Sequence, residues 1–112
     1  YSTVVIDASA KMAASAGIDQ TIFIDALMPI LRATLSNIEH HGTLASLSGP
    51  IARGDADNVS AHLSALKNSE LSASFQELYA SLGQYAITMA QNNGQLDNKQ
   101  VEILKETLSR KD

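Results

Sequence analysis

The chain has 112 residues, a formal net charge of -4 and no cysteine. That length makes one domain with its own core, and the lack of thiols excludes a disulfide framework and a thiolate metal centre. Eight scattered Lys and Arg against twelve Asp and Glu offer no basic face for tracking phosphates, so no nucleic-acid partner is expected.

Hydrophobic residues make up 45% and aromatics 4%, so the core must be built from aliphatic side chains and alanine, which suits packed helices. No uninterrupted apolar run approaches the ~18 residues of a membrane span. Asp7 and Lys11 interrupt any signal-peptide core. These features predict a cytoplasmic protein without membrane contact. The helical pattern starts at once at Tyr1, and the expectation is that residues 1-112 form a single helical domain, the C-terminal half of a longer chain.

The first helix is expected over Ser2 to Ala16, with Val5, Ala8, Met12 and Ala16 inward, closed by Gly17 in the left-handed region. Asp19 then caps a second helix reaching about His41 and stopping at Gly42. Its first half, Ile22 to Leu31, is apolar almost all round, which predicts a buried central element. Pro29 removes one helical donor and crowds the carbonyl of Asp25, so a kink is expected there.

The only long break is Leu47-Ser48-Gly49-Pro50-Ile51-Ala52-Arg53-Gly54-Asp55. Two glycines and a proline in nine residues predict a shaped loop. Asp55 reads as the N-cap of a third helix, Ala56 to about Lys67, with Val59, Leu63 and Leu66 buried. A fourth, long helix carries Leu71, Phe75, Leu78, Leu82, Ala86 and Met89 at three-and-four spacing and ends at Asn93-Gly94. Gly83 lies inside it, beside Ala80 and Ala86, as a strip another helix can approach closely. Asp97 caps the last helix, with Val101, Leu104 and Leu108 inward. The predicted fold class is all-α, a bundle of about five helices.

Chemistry is sparse. The helix start at Asp55 already carries Asp55 and Asp57, which disfavours an anion. The amides of Gly49, Ile51 and Ala52 and the Arg53 guanidinium remain open to a carboxylate or phosphate, unless Arg53 merely pairs with Asp55. Arg53-Gly54-Asp55 spells an adhesion tripeptide, but its aspartate is spoken for as a cap. His40 and His41 are adjacent and diverge around a helix, so they do not clamp a metal. His62 borders the Val59-Leu63 stripe and reads as a boundary residue, and Lys11 reads as solvated. No metal site is expected, and no nucleotide-binding or nucleophile motif is present.

Pro29 to Leu35, then Leu47 to Asp55, then His62-Leu63, with Tyr79 and Leu82 on the long helix, resemble a domain of unknown function. It is the helical C-terminal domain of Rossmann-like NADP-dependent oxidoreductases. That domain is similar to the C-terminal half of the 6-phosphogluconate dehydrogenase-like superfamily. The resemblance covers nearly the whole chain and implies a substrate-cleft and dimerisation role in an NAD(P)-dependent oxidoreductase of unknown substrate. It implies Gly49, Pro50, Arg53 and Asp55 as cleft-wall candidates, a homodimer, and NADP held by an N-terminal Rossmann-like domain. Residues 1-112 lack that domain's glycine-rich turn, so by themselves they are expected neither to bind NADPH tightly nor to catalyse. The competing reading is a stand-alone, non-enzymatic helical interaction module.

Overall fold

A computed structural model describes residues 1-110 as five helices with no strand among them. They are α1 (Ser2–Ser15), α2 (Gln20–Ser46), α3 (Ala56–Lys67), α4 (Ala73–Asn92) and α5 (Asn98–Ser109).

The helix ends follow local chemistry. Gly17 at φ 88° turns the chain after α1, where the Ile18 amide donates to the Ala13 carbonyl and the Gly17 amide to Ala14. Both bonds satisfy carbonyls that the helix end leaves open. Asp19 caps α2 by accepting from the Thr21 and Ile22 amides. Asp97 caps α5 in a capping box, accepting from the Gln100 amide at 2.8 Å while the Gln100 side chain accepts from the Asp97 amide at 3.0 Å.

The core lies in a three-helix unit of α3, α4 and α5. Val59, Ile87 and Leu104 are fully buried at its centre, joined by Ala90, Leu96, Val101 and Leu108. The expected inward residues of α5 are all there. On α3, Val59 and Leu66 are buried and Leu63 packs partly against the same cluster.

On one point α2 departs from expectation. It is not the buried centre: none of its 27 residues is buried. It pairs with α1 as a hairpin set beside the three-helix unit. The tie runs through the Asn93 side chain, which donates to the Leu44 carbonyl at 2.9 Å, and Gln95, which donates to Leu47 at 3.4 Å. The reason is geometric. At 1.5 Å per residue the stretch of α2 before Gly42, residues 20–41, is about 33 Å long and α1 about 21 Å, so α1 spans only about two-thirds of it. Pro29 lies inside α2. Helical dihedrals run through the proline, and the one departure is Gly42, at φ 80° and ψ 174°. A proline's fixed φ fits a helix, whereas that φ suits only a residue without Cβ.

The α4 stripe is also displaced. Gly83, Ile87 and Ala90 are its buried residues, while Leu82 is 48% exposed. The small side chains of Gly83 and Ala90 let α5 approach, so α5 settles one position around from the Leu82-Ala86 line. On α1 the buried residues are Ala10 and Ala13, whereas Val5 and Ala16 stay exposed.

Candidate functional site

The 47–55 loop is a single helical turn held at both ends. The Arg53 amide donates to the Gly49 carbonyl, the Gly54 amide to Ile51 and the Asp55 amide to Pro50 at 2.8 Å. Pro50 starts the turn, where a missing N–H costs nothing. Gly54, at φ 71°, ends it, and a Cβ there would stand 2.6 Å from the Gln100 side-chain nitrogen. Asp55 then caps α3, accepting from the Asn58 amide at 3.1 Å and from its side-chain nitrogen. These two bonds, backbone first, hold the Asp55 carboxyl below its usual range, and the Arg53 and His62 charges add to the effect.

So fixed, the turn forms one wall of a cleft of about 330 Å³. Ser48, Pro50 and Ile51 line that wall, and Leu82, Gly83 and Ala86 of α4 line the other. The cleft surface is almost wholly apolar. At one end stand His62 of α3, exposed to solvent, and Tyr79 of α4, joined by a 2.8 Å hydrogen bond between the imidazole Nδ1 and the phenol oxygen. Their rings meet edge-on, with centroids 5.8 Å apart and an interplanar angle of 89°. Tyr79 is partly buried, and burial pushes its phenol above the ordinary value of 10.0. It therefore stays protonated, and a donor, at neutral pH.

The four cleft-wall candidates divide. Pro50 lines the cleft. Gly49, at φ 101°, supplies the carbonyl that closes the turn onto Arg53, and Asp55 caps α3. Arg53 is exposed and forms no ion pair within 4.0 Å among the described residues. The sequence reading set aside His62 as a boundary residue. It lies 17 positions from Tyr79 on a different helix, so no spacing rule joins them, and only the resemblance touched both. Lys11 pairs with Asp7, one turn away, and His40 Nδ1 bonds the Ser36 carbonyl. Among the described residues no three His, Asp or Glu side chains gather as a metal site. Nor does a strand, glycine-rich turn and helix combine there into a dinucleotide cradle.

No curated protein and no solved structure matches the chain. A family described as a domain of unknown function (DUF2520) matches residues 1–86, from α1 through the cleft-lining part of α4. The chain belongs to that family.

Proposed function

We propose that this chain is the substrate-cleft and dimerisation domain of an NAD(P)-dependent oxidoreductase of the cytoplasm, with a 6-phosphogluconate dehydrogenase C-terminal-domain-like fold. The observation that carries the reading is the 47–55 turn set against α4, which makes a mainly apolar cleft with the His62–Tyr79 pair at its end. Such a cleft fits the body of a small substrate. It offers nothing to a pyrophosphate, because the nearest helix start carries Asp55 and Asp57. In this reading NADP sits on a Rossmann-like domain preceding Tyr1, and two copies meet through α2. Gly49, Pro50, Arg53 and Asp55 shape the wall on which the substrate rests.

The test is calorimetry with NADPH, on residues 1–112 and on the natural protein with its upstream sequence. The expected outcome is micromolar binding by the longer protein and none by residues 1–112. Micromolar binding by residues 1–112, or a natural protein without an upstream strand and Gly-x-Gly-x-x-Gly turn, would overturn the reading. The second outcome would favour a non-enzymatic helical interaction module, for which the uncovered α2 speaks.

A further inference from the structure

The cleft has one kind of wall and one kind of end. Its sides are mainly Pro50, Ile51, Leu82 and Ala86, which offer a ligand dispersion and burial, with Ser48 the one polar side chain on the turn's wall. Its end is the His62–Tyr79 pair. The imidazole and the phenol bring an N–H and an O–H to the pair. Their mutual bond uses one, in either tautomer, and the other remains free to donate. An occupant that fills the cleft thus needs an apolar body and one acceptor. A carboxylate is the poorer acceptor, because it would carry a charge into an apolar cleft near the Asp55 carboxylate. A carbonyl oxygen suits the place: it accepts one hydrogen bond and brings no charge into an apolar cleft.

We propose that His62 and Tyr79 anchor the carbonyl oxygen of a small, uncharged, mainly apolar ligand seated between the 47–55 turn and α4. This rests on the reading of that turn as a cleft wall, and it requires neither a cofactor nor a reaction. The same two side chains also border a second groove, against Met12 and Ala16 at the end of α1. The 47–55 side is the site because its walls are mainly apolar on both flanks and one of them is rigid.

The experiment follows backbone amide resonances of the ¹⁵N-labelled chain during titration with acetophenone, and with ethylbenzene as its counterpart without the oxygen. Saturable shifts are expected at Ile51, Leu82, Gly83 and Ala86, with acetophenone bound about three- to tenfold more tightly, the worth of one hydrogen bond. The double variant His62→Leu/Tyr79→Phe should bind the two probes equally, with Val101 and Leu104 amides unmoved as evidence of an intact core. If the double variant fails to fold, Tyr79→Phe alone should narrow the preference. Absence of saturable shifts, equal affinity for the two probes, a preference that survives in the variants, or shifts confined to Met12 and Ala65 would overturn the proposal. Carbonyl binding without NADPH binding by the longer protein would keep this site and remove the oxidoreductase reading. The reverse pair of results would do the opposite.

Discussion

Two residues of the 47–55 region and α4 show how single positions set the cleft. Asp55 is held by the Asn58 amide and side chain, and its carboxyl is depressed in the folded chain. A depressed carboxylate stabilises the fold above its unfolded value, here near the ordinary 3.8, and loses that contribution as pH falls through the lower folded value. Asp55→Ala should therefore melt below the native chain at neutral pH, and the gap should close in acid below 3.8. Thermal melts from pH 7 to pH 2 would read this, and a gap independent of pH would contradict it. Gly83 is the other such position. A Cβ there would stand 2.8 Å from a Leu108 methyl and 3.2 Å from the Ile51 Cδ1. The glycine is therefore an internal packing residue, not part of an open strip for a partner. Gly83→Leu should destabilise by about 1–3 kcal/mol through overpacking, seen in urea unfolding. A stability equal to the native chain's would show that α5 can move aside.

At the scale of elements, α5 does what α2 was expected to do. Leu104 is fully buried, and Val101 and Leu108 flank it against α3 and α4. Leu104→Ala should cost about 2–5 kcal/mol, the loss for a buried leucine whose site cannot collapse. The same change at Leu35 of α2, which is 65% exposed, should lie within about 0.5 kcal/mol of zero in the monomer. Denaturant midpoints for the two variants check the contrast. Equal losses would mean that α2 is covered after all. The averaged hydropathy of α2 reaches 1.2 over 18 residues, so by length and composition this helix is apolar enough to cross a membrane. Asp25 and Arg32 interrupt the apolar run, while the surrounding Ile, Leu and Phe residues hold the average at that level.

At the scale of the whole molecule, the surface is larger than a folded monomer of this mass ordinarily exposes. The accessible area is 7474 Å², against about 5,900 Å² expected for a folded monomer of this mass. The radius of gyration, 14.5 Å, likewise exceeds the ~13 Å expected. The excess of roughly 1,500 Å² is more than the ~800 Å² each partner contributes to an ordinary stable interface. Ile22 and Ile30 of α2 are exposed, and a two-fold pairing through this helix would cover them. Light scattering at micromolar concentration should give a discrete dimer, and Ile30→Asp should shift it to monomer while leaving the melting of the α3–α5 unit unchanged. A native monomer, or a chain that sediments with neutral phosphatidylcholine vesicles instead of pairing, would refute the dimer.

The number of helices, their caps and the buried stripe of α5 were legible in the sequence, because they depend on neighbours within one turn. Asp19, Asp55 and Asp97 accept from amides two or three positions on, and Gly17 and Gly94 close helices at positive φ. Such contacts are written in local order. The cleft was legible only in its rigid wall, where Gly-Pro and Gly-Asp bracket one turn. Tertiary structure alone decided which apolar face is core. Periodicity marks a face as apolar but does not say whether a helix, a ligand or a second chain covers it. On α4 the small Gly83 and Ala90 drew α5 to themselves and left Leu82 and Ala86 to the cleft. On α2 the shorter α1 left part of the length uncovered. The meeting of His62 with Tyr79 is a contact between helices, and no spacing within one helix encodes it.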